Sequence, residues 1–308
     1  MLYLNPNTPK IIKARRSFHD GMSDFVFKRI DKIKKIEKVD TAKIIRFFDL
    51  IINDHIDEIL VEKPGRLIEL NNQIDLLIDD SPDIRKGVQY VFSYDTFISK
   101  AKTRYDAYKL AELLDISTCT YCNRNYTNTV IRNNGYKITR PQFDHYFDKD
   151  TYPLLAVSFY NLIPSCSTCN SSIKGTKKMT LADFLHPYLD NGINDIKFTY
   201  KYSKDTTTGL QVQVVTPDPS KSRNTVEVFA IEDVYNCHTG ELLELIKTRQ
   251  YFSDRYLSIL SANLLRDVIV SKEELYRIVF GTEYDVNNFI NRPFSKFKSD
   301  ILKELGVI

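Results

Sequence analysis

The sequence predicts an α+β protein: a mainly helical chain around a small core bracketed by cysteine pairs, with an additional β-hairpin C-terminal to that core. Three observations predict it. Apolar residues recur at helical spacing through much of residues 24–114 and again after residue 240. Two C-x-x-C pairs, Cys119/Cys122 and Cys166/Cys169, enclose two strand-like runs joined by Asn134-Gly135. Beyond them, residues 196–202 and 210–215 alternate apolar and polar around Lys204-Asp205-Thr206-Thr207-Thr208-Gly209.

A chain of 308 residues exceeds one typical domain. The spacing of motifs divides it into a helical region 1–115, a core 116–190 and a C-terminal region 191–308 with the hairpin and further helices. Hydrophobic content of 43% and charged content of 27% are those of an ordinary globular protein. No apolar run reaches the roughly 18 residues of a membrane span, and no export signal opens the chain. With zinc-binding thiols, these features place the protein in the cytoplasm.

In the first region, MLYLNPNTPK reads as an irregular arm over residues 1–20, followed by helices within Asp24–Lys35, Thr41–Leu60, Leu67–Ile78 and Tyr94–Leu114. The cluster Asp79-Asp80-Ser81-Pro82-Asp83 is a turn. No chemical motif occurs here, and His19 and His55 read as surface or capping residues.

In the core, strands over 126–131 and 136–143 flank Asn134-Gly135, and the second runs into Asp144 and His145. A short helix or loop over 152–160 leads to Asn161. Leu162-Ile163-Pro164 forms a returning strand, and residues 167–174 a helix ended by Gly175. The Cys pairs have 43 residues between them. Each pair can turn both sulfurs to one ion, so Cys119, Cys122, Cys166 and Cys169 are read as the ligands of a closed, structural Zn²⁺ site.

Asp144 is a hard oxygen ligand suited to Mg²⁺ or Mn²⁺, and the imidazole of His145 can take a proton from water. Asn170, directly after Cys169, is placed to supply a further ligand. Residues 119–178 carry eight Lys and Arg against three Asp, a local excess in a chain of formal charge +3. Lys177 and Lys178 belong to this basic stretch, which suits a phosphate backbone. The plainer reading is a solvated loop surface.

The order CTYC, FDHYF, NLIPSCSTCN and then Lys174 resembles the HNH, or ββα-metal, endonucleases with a four-Cys zinc site. The resemblance implies a ββα-metal core lying along the minor groove of double-stranded DNA. It implies catalytic roles for Asp144, His145, Asn161 and Asn170. Asp144 and Asn170 would hold the catalytic metal, His145 would be the general base, and Asn161 would pin the loop holding His145. Lys174 would lie near a phosphate. Many members carry His where this chain has Asn170; a neutral amide is the weaker ligand and favours Mg²⁺ or Mn²⁺ over softer ions. The motifs cover about a fifth of the chain. The wider run from Tyr105, with NRPFSKFKSDI near the end, is similar to the HNH subunits of ATPase-linked anti-phage systems of the Septu type. That implies antiviral defence and an ATPase partner.

After the core, His186 precedes Pro187 in an apolar neighbourhood and reads as packing rather than a ligand. Residues 226–234 suggest another strand. Cys237-His238 reads as the start of a helix over 241–260, and 291–305 as a helix with a basic face. Two rivals to the nuclease remain: a non-catalytic zinc-stabilised module that binds nucleic acid, and a scaffold that binds an ATPase.

Overall fold

The computed structural model describes residues 1–33, 41–79, 81–99, 105–252, 254–259 and 271–307. The protein is α+β. Its N-terminal region comprises α1 (Pro9–Ile33), α2 (Thr41–Phe47), a π turn (Phe48–Ile52), α3 (Asn53–Val61), α4 (Pro64–Asp79), α5 (Pro82–Val91), α6 (Tyr94–Ile98) and α7 (Ala107–Leu114). In α1, buried Ile11, Ala14, Phe18, Met22, Phe25, Val26, Ile30 and Ile33 recur every three or four residues, the spacing of one helix face. A side chain at Gly21 would meet the Tyr105 ring at 2.4 Å, so only glycine lets the two approach. Asp106 caps α7, accepting from the backbone N–H groups of Tyr108 and Lys109.

The irregular arm is shorter than residues 1–20, because α1 begins at Pro9, a residue suited to a first helical turn. The arm still has work: the N–H groups of Leu2 and Leu4 donate to the carbonyls of Thr120 and Pro187. The expected ends at Lys35 and Leu260, with Asp80, lie outside the described residues.

The strands are few and short. β1 (Val130–Ile131) pairs antiparallel with β2 (Lys137–Thr139), β3 (Gln142–His145) with β4 (Leu162–Ser165), and β5 (Lys197–Tyr202) with β6 (Leu210–Val215). The strand expected over 136–143 is therefore two strands in two sheets. Pro141 has no N–H to continue the first ladder, and the chain changes partner there. The expected strand over 226–234 is helical instead, forming α8 (Lys221–Val228) and α9 (Ile231–Asn236). Ser220 caps α8 by accepting from Arg223 N–H at 3.0 Å, and Ser222, Thr225 and Val226 turn one face inward. α10 (Thr239–Tyr251), α11 (Asp254–Ile259), α12 (Lys272–Phe280) and α13 (Ser295–Glu304) follow. The β5–β6 hairpin is covered by α9, α10 and α13, and Asp300 of α13 accepts from Phe198 N–H. No described helix is long and apolar enough to cross a membrane.

One apolar core runs from α1 through Phe143, Leu154, Leu155, Phe159 and Ile163 to Phe198 and Phe297. It takes in Phe143 of β3 and Leu162 and Ile163 of β4 together with residues of the N-terminal and C-terminal helices.

Candidate functional site

The four cysteines come together. Cys119, Cys122, Cys166 and Cys169 are buried, and their sulfurs all lie within 4.8 Å of one another. Four ligands about 2.3 Å from a tetrahedral zinc would have sulfurs about 3.8 Å apart, so the donor set fits Zn²⁺. Burial pushes the Cys119 thiol well above its usual range, and a central cation is what lets such a cluster ionise. Arg124 N–H, Cys169 N–H and the Asn125 amide each donate to a sulfur. Thr120 N–H donates to the Pro164 carbonyl of β4, which ties the first Cys turn to the sheet.

Asn123 fixes that turn from the other side. Its φ of 51° is left-handed, a conformation asparagine tolerates. Its amide donates to Thr118 Oγ1 and to the carbonyls of Phe289 and Arg292, and its side-chain oxygen accepts from Lys296 N–H. The C-terminal NRPFSKF run is thus clasped to the cysteine cluster.

β3 presents two different faces. Gln142 and Asp144 lie on one, Phe143 and His145 on the other. Across the first face runs a π-helical turn, Thr168–Lys174, closed by Gly175 at φ 52°. Two of its side chains, four residues apart, meet two of the strand's, two residues apart. Asn170 Nδ2 donates to Gln142 Oε1 at 3.0 Å, and Lys174 Nζ donates to Asp144 Oδ1 at 2.9 Å. Lys174 also donates to the His145 carbonyl at 2.8 Å. The second Asp144 oxygen accepts from the Tyr121 hydroxyl at 2.6 Å. Asp144 is 2% exposed and Lys174 4%. Burial raises the Asp144 pKa, and Lys174 and Tyr121 pull against it.

Lys174 is therefore buried rather than on the surface. The sequence reading expected it beside a phosphate, but the π turn swings the ammonium inward onto Asp144. Lys177 and Lys178 are exposed. The Asn170 amide nitrogen faces Gln142.

His145, half-buried, occupies the opposite face. Its Nε2 lies 2.9 Å from the Ala156 carbonyl. A carbonyl only accepts, so this nitrogen carries the proton and Nδ1 keeps its lone pair. Burial lowers the pKa to about 4, which leaves the ring neutral near pH 7. The edge of Tyr94 packs against the ring with centroids 4.4 Å apart, and the Tyr94 hydroxyl donates to the Phe143 carbonyl. Asn161 is fully buried in the loop that follows: its oxygen accepts from Phe147 N–H at 2.7 Å, and its nitrogen donates to the carbonyls of Phe147 and Leu155. The loop supplying the Ala156 carbonyl is thereby fixed one residue away.

Three contributors escaped the sequence reading: Tyr121, Gln142 and Tyr94. Tyr121 carried a signal, since it sits between two of the four clustered cysteines and so near whatever that cluster positions. Tyr94 carried none, because its contact crosses about fifty residues.

The remaining histidines and Cys237 stand apart. His186 is buried between Tyr146 and Tyr188, and its Nδ1 accepts from Tyr188 N–H. His238 pairs with Arg124, Cys237 is exposed, and His19 and His55 bond carboxylates in the helical region.

The chain is similar to the Septu protein PtuB of Bacillus thuringiensis, 42% identical over 60 residues. That match covers 19% of this chain and 23% of the relative's length. No family profile matches the chain, and no solved structure does.

Proposed function

We propose that the protein is an HNH-type endonuclease that hydrolyses phosphodiester bonds in double-stranded DNA. We further propose that it is the effector of an anti-phage system with an ATPase partner. The observation that carries the nuclease reading is the end of β3, where a neutral, oriented imidazole adjoins a buried carboxylate beside a four-Cys cluster. The similarity to PtuB carries the defence reading.

His145 Nδ1 takes a proton from water, and the water oxygen attacks phosphorus as the bond to the 3′-oxygen breaks and solvent protonates the leaving group. The Ala156 carbonyl steadies the imidazolium that forms, and Asn161 holds that carbonyl in place. Asp144 on β3 and Asn170 on the π turn across the same face each carry an oxygen of the kind that would suit Mg²⁺ or Mn²⁺. When bound, such an ion would offset the negative charge that develops on the phosphoryl oxygens.

The test is cleavage of duplex DNA by zinc-loaded chain with Mg²⁺ or Mn²⁺, with and without His145→Ala. Equal cutting by both chains overturns the assignment of the base. A second reading, a non-catalytic zinc scaffold that binds nucleic acid or an ATPase, is favoured by the engagement of both Asp144 oxygens within the fold. No cutting by the parent chain, with or without an ATPase, supports it.

A further inference from the structure

Asp144 and Lys174 form an ion pair with side chains 3% and 4% exposed. The ammonium lies between Asp144 Oδ1 and the His145 carbonyl, at 2.9 and 2.8 Å. Both are hard oxygen donors of the kind that bind Mg²⁺ or Mn²⁺. An octahedral Mg²⁺ would stand about 2.1 Å from Oδ1. It would then compete with an ammonium already held by that oxygen, at strong like-charge repulsion in a buried setting. Tyr121 engages Oδ2, so the carboxylate has no second oxygen free of a protein donor.

We propose that Lys174 is the resident cation of this site, and that it and a divalent metal exclude one another at Asp144. The inference rests on reading Asp144 as a metal ligand. Lys174 is the last residue of the π turn, directly before Gly175, so its withdrawal would open the end of this turn. A displaced ammonium needs an anion, and a nucleic-acid phosphate supplies one. Metal and nucleic acid then bind cooperatively, each favouring the state with Lys174 withdrawn. This reconciles a buried lysine with a role beside phosphate: it occupies the two places in turn.

The test is titration of Mn²⁺ into zinc-loaded full-length chain by calorimetry, with zinc content and near-UV dichroism as controls on the fold. Lys174→Met and Lys174→Gln should bind Mn²⁺ at least tenfold more tightly than the parent, and Asp144→Asn added to either should remove the gain. Lys174→Arg, which keeps the charge, should show no gain. Equal Mn²⁺ affinity in parent and uncharged variants, all sensitive to Asp144→Asn, overturns the exclusion while leaving the metal reading intact. No binding by any chain overturns both. A second titration avoids altering Lys174: the His145→Ala chain should bind Mn²⁺ at least tenfold more tightly with duplex DNA present. An unchanged affinity there also overturns the proposal.

Discussion

The cysteine cluster and the end of β3 are linked through β4, which runs from Leu162 opposite His145 to Ser165 just before Cys166, yet they are held in opposite ways. Around the cysteines, ligands arrive as two local pairs, and backbone N–H groups and amides converge on the sulfurs. Around Asp144 and His145, every partner arrives from a different part of the chain: Tyr121, Lys174, Ala156 and Tyr94. The first region is a set of four buried thiols placed so that they could hold one ion. The second has one fully engaged charge and one imidazole with a lone pair left over. One is built locally, and the other is assembled from distant parts of the chain. Breaking each in turn should therefore give different kinds of failure.

The largest effect should come from the cluster. Replacing Cys119, Cys122, Cys166 or Cys169 by Ser should unfold or aggregate the chain and remove its zinc. Structural zinc is worth on the order of 10–16 kcal/mol in small peptides, comparable with or above a whole domain's stability of about 5–15 kcal/mol. Metal analysis with circular dichroism checks this, and a well-folded zinc-free chain would refute it. At the strand end the failure should be chemical rather than structural. His145→Ala should lower cleavage by about 10²–10⁴-fold while zinc content and thermal midpoint stay close to the parent's.

The same contrast explains how much could be read in advance. The cluster was legible because C-x-x-C fixes two ligands by local geometry, and the β5–β6 hairpin because its alternation and turn agree. The Asp144-His145 pair stood out in the sequence as an oxygen donor next to an imidazole, but its geometry did not. Which face each residue takes depends on where β3 starts, and Pro141 shifts that start by ending β2. Lys174 turned inward because its segment is a π turn, a change of winding that no composition signals. Residues 226–234 were misread because valines and isoleucine in a short window satisfy a strand pattern while their neighbours satisfy a helix.

His186 gives a smaller, pH-dependent test of which histidine is structural. Burial lowers its folded-state pKa to about 3 from the ordinary 6.5. Between those values the unfolded chain takes up a proton that the folded chain refuses, so stability falls as pH drops below 6.5. At pH 4 that penalty is about 3 kcal/mol, using 1.36 kcal/mol per pH unit. His186→Asn keeps an acceptor for Tyr188 N–H but does not titrate. Its urea midpoint should change less between pH 7 and pH 4 than the parent's. An identical pH dependence would show that His186 is not the group responsible.

The smallest effect should come from the wall behind His145. Tyr94→Phe removes one hydroxyl, and with it the bond to the Phe143 carbonyl, but keeps the ring edge against the imidazole. A single hydrogen bond contributes about 0.5–1.5 kcal/mol, so the thermal midpoint should fall by a few degrees at most. Cleavage should hardly change, because the ring still shields His145 and Ala156 still fixes its tautomer. Tyr94→Ala should behave differently. It removes the apolar cover whose burial lowers the His145 pKa, so that pKa should move up from about 4 toward 6.5. Imidazole proton resonances followed against pH report the shift directly. If Tyr94→Phe and Tyr94→Ala leave the same pKa, the helical wall does not set the imidazole's environment. The cover would then have to come from the Asn161 loop alone, and the strand end would be as locally built as the cysteine cluster.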